Sequence, residues 1–131
     1  MRELRRMLWV ALAIACLGGG AAAQTLKGHW SGLVDQSGPG AITDRYVATL
    51  RLDGPAGAMD YPTLGCNGTV TFISRSGDTS VYRENITHGP CIDGGAISVQ
   101  PAKGGLVWTW TAAGVTARGR FYRVVDKAPA H

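Results

Sequence analysis

From Trp30 onward, apolar and polar residues alternate in short runs with a period of two, the spacing of a strand that buries one face. The cleanest run sets Leu106, Trp108 and Trp110 against Val107, Thr109 and Thr111. Tyr46, Ala48, Leu50 and Leu52 alternate in the same way with Val47, Thr49 and Arg51, as do Val115, Ala117, Gly119 and Phe121 with Thr116, Arg118, Arg120 and Tyr122. The pattern predicts strands at Trp30 to Val34, Tyr46 to Leu52, Ala58 to Tyr61, Thr69 to Ile73, Ser80 to Ile86, Ala96 to Gln100, Leu106 to Thr111 and Val115 to Val124. Glycine-rich links such as Gly54-Pro55, Ser76-Gly77-Asp78, Asp93-Gly94-Gly95 and Gly104-Gly105 separate them, and no stretch carries a helical period long enough to matter. About eight strands joined by short links predict an all-β fold, a small antiparallel up-and-down barrel whose closure removes exposed edges. A two-sheet sandwich is the alternative.

The first residues follow a different pattern. Arg2, Arg5 and Arg6 precede the apolar run Met7 to Leu17, which gives way to Gly18 to Gly20 and then Ala21 to Ala23. That three-part order predicts a signal peptide over residues 1–23, cleaved after Ala23. Eleven apolar residues fall short of the roughly twenty that span a bilayer, so no membrane span is expected. Ala13, Ile14 and Ala15 before Cys16 partly resemble the lipobox at which bacterial lipoproteins are acylated, which makes a lipid anchor through Cys16 the alternative to release into the periplasm or medium. Residues 24–131 are expected to form one domain with a frayed tail from about residue 126, monomeric and without a cofactor.

Export changes what charge and cysteine imply. The net charge of +4 belongs largely to the signal, since residues 24–131 keep ten Lys or Arg against eight Asp or Glu, with no basic stripe to bind nucleic acid. Loss of Cys16 leaves Cys66 and Cys91, which an oxidising compartment is expected to join. The competing metal reading has only these two and His88 as ligands, at no recognised spacing. In a meander, the link between strands three and four lies at the same end as the link between five and six. A Cys66–Cys91 bridge would therefore pin two links at one mouth.

Gly28-His29-Trp30 resembles the G-x-W opening of lipocalin-like calycin barrels. The resemblance implies a tryptophan packed across the barrel floor against a basic residue of the last strand, here Arg120 or Arg123. Tyr61-Pro62-Thr63-Leu64-Gly65-Cys66-Asn67-Gly68-Thr69, with Tyr82-Arg83-Glu84 and Gly89-Pro90-Cys91-Ile92-Asp93-Gly94-Gly95, looks like a small extracytoplasmic bacterial β domain. That domain occurs alone or at the outer end of some bacterial serine/threonine kinases. This second resemblance supports the pairing of Cys66 with Cys91 and implies a sensing or binding role without catalytic residues.

Tyr61, Arg83, Glu84, His88 and Asp93 cluster near the bridged links and are the candidate ligand-binding residues. Arg83 and Glu84, adjacent on one strand, are expected on opposite faces, one paired with a loop and the other solvated. His88 with Glu84 or Asp93 would suit a general base, but no Ser or Cys nucleophile stands in a recognisable context, so an enzyme is not expected. Trp30, Trp108 and Trp110 are expected to fill the core of a narrow barrel. Asn67-Gly68-Thr69 is expected to be turn chemistry. These readings converge on a non-catalytic exported binding or sensing module of the cell envelope. The alternative is a periplasmic or secreted inhibitor of a hydrolase, of protease or lysozyme type, blocking its target with His88 to Gly95 or the tail Gln24 to Lys27.

Overall fold

The computed structural model describes residues 26–125; the expected signal peptide, Cys16 and the tail from residue 126 lie outside the described residues. Eight strands follow in order: β1 (Lys27–Ser37), β2 (Tyr46–Asp53), β3 (Ala56–Tyr61), β4 (Cys66–Ser76), β5 (Thr79–His88), β6 (Ala96–Ala102), β7 (Gly105–Ala112) and β8 (Val115–Arg123). Each strand pairs antiparallel with the next, and β8 returns to β1 with Arg123 opposite Trp30 and Thr116 opposite Ser37. The sheet is a closed up-and-down barrel, not a sandwich. Each run of period two has become one strand because every strand has a wet outer face and a dry inner one. Among the described residues, no helix is long and apolar enough to cross a membrane.

Inward side chains meet in layers. Trp108, fully buried in the barrel, stacks on Phe121 with ring centroids 5.1 Å apart and planes 16° apart. Phe121 has room because β1 passes it with a glycine. A Cβ on Gly32 would stand 2.7 Å from the Phe121 ring and 2.3 Å from the Arg120 carbonyl oxygen.

The two ends of the barrel differ. The turns Gly54-Pro55, Gly77-Asp78 and Lys103-Gly104, each of two residues, occupy one end. Just inside that end the Arg123 guanidinium lies 4.9 Å from the centroid of the buried Trp30 ring, a cation–π contact that floors the barrel. Arg120, the other basic residue considered for that role, is out of phase with the inward Ala117 and Phe121 and lines the outer wall. The opposite end carries the longer links 38–45, 62–65 and 89–95 beside the tight turn Ala113-Gly114.

The disulfide belongs to this second end. Cys66 and Cys91 are bonded with their Cα atoms 6.1 Å apart. Cys91 lies in the 89–95 link, whereas Cys66 is the first residue of β4, directly after the 3-10 turn Pro62–Leu64 and its cap Gly65, and so not in a link. Asn67, expected in a turn, continues β4 opposite His88, next to a register shift between Asn67 and Gly68. Such a bulge sharpens local twist and re-aims the strand end, here at the bridged mouth.

Candidate functional site

The bridged mouth opens into a cavity of about 220 Å³ inside the barrel. Its wall combines inward side chains, Gln36, Tyr46, Tyr61, Glu84, Trp108 and Trp110, with Gly40, Ile42, Leu64, Pro90, Cys91 and Ile92 from the three long links. The disulfide holds one rim. Cys91 belongs to the wall itself, and its backbone N–H is directed at Cys66 Sγ, 3.2 Å away.

Glu84 is the chemical centre of this cavity. It sits on the inner face of β5 with Ser80 and Tyr82, and only 1% of its surface is exposed. Tyr61 Oη donates to Glu84 Oε2 at 2.5 Å, and Trp110 Nε1 donates to Oε1 at 3.0 Å. Both donors are neutral. Burial therefore raises the Glu84 pKa above the ordinary carboxylate range; the two hydrogen bonds pull it back in part, and the negative charge of Asp93 adds to the rise. Burial also raises the Tyr61 pKa, with the Glu84 charge as the next cause, so the phenol keeps its proton.

Trp110 reaches Glu84 because Gly95 offers no side chain. A Cβ on Gly95 would lie 1.9 Å from Trp110 Nε1, and the same glycine's carbonyl accepts the Glu84 backbone N–H at 2.9 Å. On the opposite wall, Tyr46 meets Tyr61 edge to face, with centroids 6.2 Å apart and planes 71° apart. Gln36 Nε2 donates to Tyr46 Oη at 2.6 Å, while Gln36 Oε1 accepts the Ile42 N–H at 2.8 Å and so ties the 38–45 link to the cavity. The Trp108 indole is fully buried in the wall, and its Nε1 has no acceptor among the described residues. Tyr46, like Tyr61, has its pKa raised by burial.

Comparison with protein-family models, with curated proteins and with solved structures finds no match for this chain. The site therefore has to be read from its own atoms.

Of the five residues expected at the mouth, Tyr61 and Glu84 meet inside the cavity and three do not. Arg83 does face away from Glu84, and its Nη1 donates to the Gly94 carbonyl at 3.2 Å. The expectation of a solvated or loop-paired partner fails for Glu84, because the parity that turns Tyr82 inward turns Glu84 inward too. Asp93 Oδ1 accepts the Ile86 N–H at 2.7 Å, a loop tie outside the cavity wall. His88 is exposed, its Nδ1 3.1 Å from Asn67 Oδ1 and 3.3 Å from Thr87 Oγ1, with neither Glu84 nor Asp93 as orienter. No group of three His, Cys, Asp or Glu able to hold a metal occurs among the described residues.

Sequence reasoning placed Tyr46 on a strand without assigning it to the site, and it passed over Gln36, Leu64 and Ile92. The signal for Tyr46 was available in its alternation with Val47. A broader depression of about 730 Å³ lies on the outer wall, around Leu33, Val47, Arg118, Arg120 and Tyr122. Those five side chains are exposed, so no desolvated polar group converges there.

Proposed function

We propose that this domain is a non-catalytic binding module of the cell envelope that takes a small ligand into the bridged mouth. The observation that carries this reading is a cavity whose wall holds both a buried carboxyl group and Trp108, whose indole N–H has no partner among the described residues. Buried polar groups without partners cost free energy in a folded protein, and they recur where a ligand supplies the missing partner. The long links that build the mouth, tied by the disulfide and by the Asp93–Ile86 and Gln36–Ile42 bonds, would hold such a site in shape before binding. At about 30 Å³ per water, the cavity has room for roughly seven water volumes, which suits a fragment-sized ligand or the end of a larger one. The export signal and the resemblance to an extracytoplasmic sensing domain both favour a ligand met outside the cytoplasm.

The test is titration of the oxidised domain with envelope small-molecule fractions and, separately, with envelope protein fractions, following tryptophan fluorescence and native mass. Ile92→Trp, which fills the mouth, serves as the control. A bound small molecule that the filled variant excludes is the expected result. A stoichiometric protein partner that binds both forms equally would favour the inhibitor reading instead.

A further inference from the structure

We propose that the ligand group seated in this cavity is a small organic ammonium, with Glu84 as its counter-ion and Tyr46, Tyr61, Trp108 and Trp110 as an aromatic cage. This rests on the binding reading above and adds the chemistry of what is bound. The charge balance comes first. Among the described residues no Lys, Arg or His lines the cavity, both donors to Glu84 are neutral, and Asp93 adds negative potential at Glu84. An anion would meet only repulsion there. A cation would supply the charge partner that the buried carboxylate lacks.

The carboxylate also has capacity to spare. Its two oxygens offer about four lone-pair positions, and Tyr61 and Trp110 fill two of them. The remaining two are free for N–H donors or for the close approach of an alkylated ammonium.

Shape selects among cations. A bare metal ion needs several oxygen ligands, and among the described residues Glu84 is the only acidic one in the wall. Four aromatic side chains in one wall, with Tyr46 and Tyr61 set at 71° to form a corner, suit instead a bulky, weakly hydrated cation attracted to ring faces. The volume of about 220 Å³ admits a compact alkylammonium head together with a short polar arm. An acceptor on that arm would take the Trp108 N–H, so a zwitterion or an ammonium alcohol satisfies more of the wall than a simple amine does.

The experiment compares isosteres on the native oxidised domain by isothermal titration calorimetry. Choline is the cationic ligand and glycine betaine the zwitterionic one; 3,3-dimethylbutanol is the neutral carbon isostere of choline, and 3,3-dimethylbutanoate is the anionic carbon isostere of betaine. The expected result is at least tenfold tighter binding of an ammonium ligand than of its neutral isostere. Glu84→Gln is expected to erase that preference, whereas His88→Ala, at an exposed position outside the cavity wall, is expected to retain it. Equal or tighter binding of the neutral or anionic compound would overturn the ammonium assignment while leaving a small-ligand site in place. Failure of all four compounds would also overturn it. If envelope fractions then gave no ligand either, the binding reading would fall as well.

Discussion

Breaking the Cys66–Cys91 bond tests the architecture of the mouth most directly. The bridge joins positions 25 residues apart and encloses β4, the 77–78 turn, β5 and the start of the 89–95 link. On the chain-entropy account, a cross-link of that span removes about 12 cal/mol/K of unfolded-state entropy, or about 3.5 kcal/mol at 25 °C. For a domain of this size, that corresponds to a fall in melting temperature of roughly 15–25 °C. The assay is urea unfolding with and without a phosphine reductant, read by tryptophan fluorescence and repeated on Cys66→Ala/Cys91→Ala. Reduction should lower the midpoint and raise the denaturant slope, because the freed unfolded chain exposes more surface. Cys91 also forms part of the cavity wall, so the reduced protein should bind its ligand more weakly even where it remains folded. A stability loss below about 1 kcal/mol would refute the reasoning. It would mean that the unfolded chain keeps these two links close without the bond.

Three further outcomes follow from individual contacts. Gly95→Ala puts a methyl group where the Trp110 indole lies, so it should cost about 2 kcal/mol and change the near-ultraviolet circular dichroism; an unaltered spectrum would contradict the close packing. The Glu84 pKa is raised in the folded state above its unfolded value, so its contribution is fully present below the ordinary carboxylate pKa and is lost as pH rises through the folded one. Glu84→Gln should therefore gain on the wild type in urea melts as pH rises above the ordinary carboxylate pKa, and a constant gap would count against a buried, uncompensated carboxylate. Ala113, exposed in the two-residue turn between β7 and β8, holds φ at +52°, so Ala113→Asn should stabilise by about 1 kcal/mol; a lower melting temperature would show that the strain was misassigned.

Much of the cavity was hidden from the sequence by parity. Val81 and Tyr82 are both apolar, so alternation alone did not say which of Arg83 and Glu84 turned inward. The register shift between Phe72 and Ser74 changes how β4 meets β5, and no residue pattern announces it. Gly95 looked like turn chemistry beside Gly94, yet only Gly94 has a positive φ. Gly95 is needed for a different reason, the approach of an indole from β7.

What the sequence determined by itself was everything that rests on local pattern. Period-two alternation named the eight strands, short links made them a meander, and the oddness of meander links assigned Cys66 and Cys91 to one mouth. Tertiary structure decided which side chains meet. Closing β8 onto β1 brought Arg123 over Trp30, and the pairing of β5, β6 and β7 set Glu84, Gly95 and Trp110 against one another. These contacts join residues up to 93 positions apart, as between Trp30 and Arg123, and depend on the register of every strand between them. A slip of one residue anywhere in that circuit would turn a carboxylate from the cavity to the solvent, and no local pattern records which of the two has happened.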